Sequence, residues 1–287
     1  MTHHIEASII IPTKNKLSRL RLVLYALALQ INENHEVIVV LDGCNQDTLD
    51  GFSQLHLPSQ IIPIICESSA GRAAARNHGI RKASGDILIF IDDDRIPGPG
   101  FIESHIAAHR NQRCMVLGKR MQLFLPEETI HELSDFNEFH RRIGEILATA
   151  KCDITWLKNK VYLLPFISPV PWLACVTSNL SVQKRDMIAV GMFDETFTGW
   201  GWEDSDLGYR FLKNHIPMIK QSRIINYHMV HAKSPDVKKE EYHNYRYFYE
   251  KTKADPITRF SLMIIRAIRD TGFWIAKYAQ ALARVLP

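Results

Sequence analysis

Three consecutive aspartates, Asp92, Asp93 and Asp94, close the apolar run Ile87-Leu88-Ile89-Phe90-Ile91. A strand interior would not tolerate three carboxylates, so the acids fall just past the end of a buried strand. In an open parallel sheet that position borders the crevice where ligands bind. Asp92 and Asp94 offer hard oxygens suited to Mg2+ or Mn2+, ions that keep other positions for water and substrate phosphates. An acidic turn capping the helix expected after Pro97 to Gly100 would read the same way. A second chemical stretch is Phe197-Thr198-Gly199-Trp200-Gly201-Trp202-Glu203-Asp204-Ser205-Asp206. Trp200 and Trp202 present flat apolar faces on which a pyranose can stack, or they are core side chains. Leu207 and Phe211 share a helix face, so a helix begins near Glu203 and carries Glu203 and Asp204 in its first turn, where their charge is favoured. His228 and His231 follow the apolar stretch Met218 to Ile225 and fall at another strand end.

The elements that must position these groups alternate through the first half. Ser8 to Pro12, Glu36 to Leu41, Ile61 to Cys66 and the run ending at Asp92 read as strands. Between them lie helices marked by Leu17, Leu20, Leu24, Leu27 and Ile31, by Asp47 to Leu55, and by the Ala-rich Ala70 to Ala83. Such alternation implies right-handed crossovers and a parallel sheet whose carboxyl ends share one edge. That edge collects Thr13, Asn15, Asp42, Gly43 and Asp92 to Asp94, a crevice of nucleotide size. No G-x-G-x-x-G follows the first strand and no P-loop motif is present, which disfavours those cofactor readings. In the second half, Glu127 to Ala150 is helical and Trp156 to Trp172 reads as an apolar, proline-interrupted loop. Ala174 to Val182 is a strand, and Arg185 to Val190 is a short helix.

Composition sets the bounds. The chain has 287 residues, 46% hydrophobic and 23% charged, with a net charge of +4. The basic residues are dispersed, so no nucleic-acid partner is expected. The five cysteines are scattered without a C-x-x-C pair, which favours a reducing, cytoplasmic setting. No secretory signal is visible, and the longest uncharged run, Val161 to Val176, is short of a bilayer span. Along Pro256 to Leu286 a largely basic stripe through Arg259, Arg266, Asp270, Lys277 and Arg284 runs beside an apolar one through Phe260, Ile264, Ala267, Trp274, Tyr278, Leu282 and Val285. This amphipathic helix suits peripheral contact with the inner face of a membrane, packing on the catalytic domain, or a homodimer contact.

Ile10-Ile11-Pro12-Thr13-Lys14-Asn15, Val39-Val40-Leu41-Asp42-Gly43, Gly71-Arg72-Ala73-Ala74-Ala75-Arg76-Asn77-His78-Gly79 and Phe90-Ile91-Asp92-Asp93-Asp94 occur in that order. Together they resemble the signature segments of family 2 inverting glycosyltransferases of the GT-A fold. The Gly-Trp-Gly-Trp-Glu-Asp segment resembles the acceptor side of galactosyl- and N-acetylgalactosaminyltransferases, and the resemblance implies that the loop Trp156 to Trp172 lines the same side. The resemblance implies one α/β GT-A domain over residues 1–232, with a mostly parallel sheet flanked by helices. Residues 1–110 form its donor half, 111–232 its acceptor half, and 233–287 a helical extension. It implies metal-dependent transfer from a UDP-sugar of galactose, N-acetylgalactosamine or glucose type to a hydroxyl on a carbohydrate, lipid-linked or other acceptor. Pro12, Thr13, Asn15, Asp42, Arg76, Asn77, Asp92 and Asp93 then bind donor. Asp94 and His231, with Asp92 and His228 as further candidates, hold Mn2+ or Mg2+. Trp200, Trp202 and Asp206 meet the acceptor, and Asp204 is the base with Glu203 as its alternate. Its place in the first helical turn keeps Asp204 ionised and makes it a weak base. A nucleotidyltransferase of similar topology would share the metal acids without needing the Gly-Trp-Gly-Trp segment. A silent carbohydrate-binding or scaffold subunit would show eroded acids.

Overall fold

The computed structural model describes residues 4–153, 170–232, 235–263 and 266. Among them nine strands form one sheet: β1 (Ala7–Thr13), β2 (His35–Asp42), β3 (Ile61–Cys66), β4 (Ile87–Ile91), β5 (Arg95–Pro97), β6 (Met115–Leu123), β7 (Lys151–Cys152), β8 (Asn179–Gln183) and β9 (Met218–Met229). The order is β3-β2-β1-β4-β8-β6-β9-β5, with β7 beside β6. The helices are α1 (Leu17–Ala28), α2 (Gln46–Ser53), α3 (Arg72–Lys82), α4 (Phe101–His109), α5 (Glu127–Glu132), α6 (Phe136–Ala148), α7 (Lys184–Ala189), α8 (Glu203–Lys213) and α9 (Val237–Thr252).

Among themselves the first four strands pair in parallel, β1 with β2 and β4, and β2 with β3. In the second half β6 pairs with β9 in parallel, and antiparallel strands are added to this mostly parallel sheet: β8 runs antiparallel to β4 and β6, and β5 antiparallel to β9. The antiparallel entry of β8 matters for the site: Asn179, at its start, lies opposite Ile91 at the end of β4, which brings the chain before β8 to the acidic edge.

Period-two burial builds two cores. Ile9 and Ile11, Val37 and Val39, and Ile89 and Ile91 point to one face with α1 and α4. Ile10, Ile38, Val40, Leu88 and Phe90 point to the other with α3, α8 and α9. β2 is buried at every position, as a strand covered on both faces must be. Each such Ile or Leu contributes roughly 1.5–3 kcal/mol on burial. The helix expected over Glu127 to Ala150 is two, α5 and α6, broken at Leu133 to Asp135, where Asp135 caps α6 by accepting from the Glu138 amide. The strand expected over Ala174 to Val182 begins only at Asn179, because Pro171–Ala174 form a 3-10 turn. Except for their edges, the acceptor-side loop expected over 156–172 and the C-terminal amphipathic helix lie outside the described residues. The chain is helical again over 256–263, where Ile257, Phe260 and Met263 are exposed. Among the described residues no helix is long and apolar enough to cross a membrane.

Candidate active site

The Asp triplet does not lead straight into a helix. Arg95–Pro97 first forms the short β5, which pairs with β9 so that Arg95 lies opposite His228, and the Met229 amide donates to the Asp94 carbonyl at 2.9 Å. This pairing carries His228 and His231 to Asp94. The His231 Nε2 lies 2.9 Å from Asp94 Oδ2, and the His228 Nε2 lies 3.8 Å from Asp94 Oδ1. One ligand atom from each of the three residues falls within 4.8 Å of the others. A carboxylate oxygen and two imidazole nitrogens at that spacing fit around one divalent ion, and imidazole suits Mn2+ better than Mg2+. Burial, reinforced by Arg95, lowers the His228 pKa to about 4, so this ring is neutral and keeps a free lone pair. Burial works against the Asp94 charge, yet the His231 hydrogen bond and Lys16 hold its carboxyl well below the ordinary range.

Asp92 stands apart from this cluster, which corrects its assignment as a metal ligand. Its carboxylate turns to Arg76, at 3.2 Å, and toward Arg95, at 3.9 Å. Adjacent residues leaving a strand point different ways, so the triplet divides its work. Asp93 is buried, accepts from Thr13 Oγ1 at 2.9 Å and lies 3.3 Å from Lys16 Nζ.

Arg76 joins the two halves of the site. Its fully buried guanidinium, on α3, donates to Asp92 and to Glu203 Oε1 at 3.3 Å, the latter in the first turn of α8. Burial opposes its charge, and Asp204, Asp92 and Glu203 outweigh that penalty. Asp204, beside Glu203, accepts from the Thr177 amide at 3.2 Å and the Thr177 hydroxyl at 2.7 Å. The expectation of a weak base is overturned. Burial and the neighbouring Glu203 raise the Asp204 pKa to about 6, so the tertiary environment outweighs the helix terminus. Carboxylates poised near neutrality suit general-base work.

Other expected contacts resolve differently. Asp42 accepts from Ser69 Oγ and from the Ala70 and Gly71 amides, at 3.0, 2.7 and 3.1 Å, so it folds the loop into α3. Gly43 makes this close approach possible: its φ is +61°, and a Cβ would lie 2.4 Å from the Ser69 nitrogen. Asn77 is buried, with Nδ2 donating to the Phe193 carbonyl and Glu195 and Oδ1 accepting from the Phe193 amide, so no edge is left for a nucleotide. Asp206 is fully buried between Arg210 and Lys251, each at 2.7 Å, which rules out acceptor contact. Trp202, at φ +73°, stacks on Phe248 at 5.4 Å and meets Tyr245, so most of its face is core. Trp200 remains half-buried on the same loop. The space beside Gly199 is filled by Glu240, at 2.7 Å from a notional Cβ, so this glycine admits α9 rather than a sugar. Asn244 of α9 pins the loop, donating to the carbonyls of Thr198, Trp200 and Gly201. Pro12 and Asn15 sit at the end of β1, partly exposed and exposed; Asn15 takes φ +55° and accepts from the Asn45 amide. Lys16, Arg95 and Thr177 were not singled out from sequence. Lys16 was the findable one, a cation directly following the Pro-Thr-Lys-Asn turn.

Residues 8–164 match the sequence model of "Glycosyl transferase family 2", and residues 163–233 match that of the "N-terminal domain of galactosyltransferase". A validoxylamine A glucosyltransferase of Streptomyces hygroscopicus subsp. jinggangensis (strain 5008) is 33% identical over 232 residues, 74% of this chain. The chain spans about half of that relative's length, 52%. Two solved structures share the fold: residues 1–349 of S. aureus TarS in complex with UDP-GlcNAc, and GalNAc-T7 with UDP, GalNAc and Mn2+. For TarS the TM-score is 0.58 at 15% identity, covering 80% of this chain and 60% of that one. For GalNAc-T7 it is 0.59 at 13% identity, covering 86% and 48%. With more than half of its length matched by the family's sequence model, and with its signature segments gathered on one edge of a GT-A sheet, this chain belongs to the family 2 glycosyltransferases.

Proposed function

We propose that the chain transfers a sugar, with inversion, from a UDP-sugar to a hydroxyl acceptor in a metal-dependent reaction. The observation that carries this reading is the meeting of two unlike clusters on one sheet edge. Asp94, His228 and His231 can hold a cation, and Asp204 can take a proton. The UDP and Mn2+ in GalNAc-T7 and the UDP-GlcNAc in TarS support a uridine nucleotide donor and a divalent ion.

Asp94, His228 and His231 would hold Mn2+, which when bound supplies Lewis-acid neutralisation of charge on the leaving diphosphate. The chain's own residues do the rest. Thr13 and Asp93 form the floor beside the donor, with Pro12 and Asn15 on the rim. Arg76 holds Asp92 on the donor side and Glu203 on the acceptor side in fixed relation. Asp204, oriented by Thr177, accepts the acceptor hydroxyl's proton at its carboxylate oxygen as that hydroxyl attacks the anomeric carbon from the face opposite the departing nucleotide. Trp200 borders the acceptor, while Trp202 and Asn244 hold its loop.

A panel of UDP-galactose, UDP-glucose and their N-acetylamino counterparts, assayed for UDP release with Mn2+ and with chelator, tests the reading. Mn2+-dependent release from at least one of them is expected. Undiminished turnover in chelator, or release only from non-uridine donors, would overturn it.

A further inference from the structure

Lys16 lies where local rules disfavour a cation. It directly precedes α1, whose first turn carries no acid, so its ammonium sits at the positive end of that helix. Asn15, in the left-handed region and tied through Oδ1 to the Asn45 amide, makes the turn that aims it. The reason for the placement is across the crevice: Lys16 Nζ lies 3.0 Å from Asp94 Oδ2 and 3.3 Å from Asp93 Oδ1. Two adjacent buried carboxylates require a counter-cation, and the ammonium supplies it. Asp94 Oδ2 is also the oxygen that faces His231. The ammonium therefore occupies the flank of the three-residue cluster that would take a divalent ion.

We propose that Lys16 is a resident counter-cation that couples metal binding to nucleotide binding. The proposal rests on the metal-dependent reading above. An ammonium shared between Asp94 and Asp93 repels an incoming divalent ion while no diphosphate is bound. Lys16 is a third exposed on a flexible stem, so it can leave Asp94 when a diphosphate arrives at the same strand ends. There the ammonium and the free amides of the α1 terminus meet phosphate oxygens, the chemistry that a helix start and a lysine bind together. Nucleotide then removes the repulsion and each ligand tightens the other, as linkage requires.

Titration calorimetry of MnCl2 into the full chain, with and without UDP, tests this on the parent, Lys16→Met and Lys16→Arg. Without UDP, the Met variant is expected to bind Mn2+ about fivefold or more tightly than the parent, a coupling of ordinary size. Its gain in Mn2+ affinity on adding UDP shrinks by a similar factor, while the Arg variant follows the parent. A Met variant that binds Mn2+ no more tightly than the parent, or shows the parent's full UDP effect, overturns the coupling alone. Absence of Mn2+ binding in every form overturns the metal reading with it. Lys16→Gln carries the same expectation if the Met variant does not fold; if neither folds, the ammonium is a structural ion pair and the proposal fails.

Discussion

Asp204→Asn should gain stability while losing transfer, because the two properties make opposite demands on this carboxylate. Burial and Glu203 raise the Asp204 pKa from 3.8 to about 6 in the folded chain. The folded state therefore holds the proton more tightly than the unfolded one. The parent loses stability as pH rises from about 4 to about 6, and the full cost of the charged form is present above that window. At about 1.4 kcal/mol for each tenfold in proton affinity, the cost is at most about 3 kcal/mol. Because Asp204 is partly exposed and shares its field with Glu203, about 1–2 kcal/mol is the working expectation. Asparagine can keep both Thr177 contacts, its Oδ1 accepting from the amide and its Nδ2 donating to the hydroxyl oxygen. Thermal unfolding at pH 8 should therefore rise by a few degrees, with the gain vanishing near pH 4. Transfer should fall by roughly a hundredfold to ten-thousandfold with UDP affinity retained. The parent's rate should fall as pH drops through about 6. A variant that melts lower than the parent at pH 8, or transfers within a few-fold of it, refutes the reasoning.

Arg76→Met should destabilise by roughly 3–5 kcal/mol, measured by denaturant unfolding, because it leaves Asp92 and the buried Glu203 without their shared cation. A loss below about 1 kcal/mol would mean those acids find other partners. Asp94→Asn should abolish Mn2+ binding in calorimetry, since it removes the carboxylate anion that both histidines face. Gly43→Ala puts a methyl against the Ser69 backbone and should weaken UDP binding through the loop that Asp42 organises, with acceptor KM unmoved. Asn244→Ala should raise acceptor KM and leave donor KM alone, because it frees the three loop carbonyls at 198, 200 and 201 at a cost of about 1–3 kcal/mol.

Much of the fold was legible because it is written in local pattern. Strands β1 to β4 are short apolar runs with helices between them, and period-two burial divides Ile9 from Ile10 and Leu88 from Ile89 between the two cores. The acids could only stand at a strand end, since desolvating three carboxylates inside β4 would cost more than the strand could return. The order of the segments carried the family, and the helix starting at Glu203 came from the spacing of Leu207 and Phe211.

What neighbouring acids do was decided only by tertiary structure, because a side chain's role depends on partners far away in the chain. Asp92 and Asp94 look alike in sequence, yet Arg76 claims one while His231, 137 residues away, claims the other. Asp204 and Asp206 share a helical turn, yet one borders the crevice beside Thr177 and the other is sealed between Arg210 and Lys251. The helix terminus read from sequence argued for a weakly basic Asp204. Burial and the neighbouring Glu203, properties of packing that no local pattern records, instead raise its pKa to about 6.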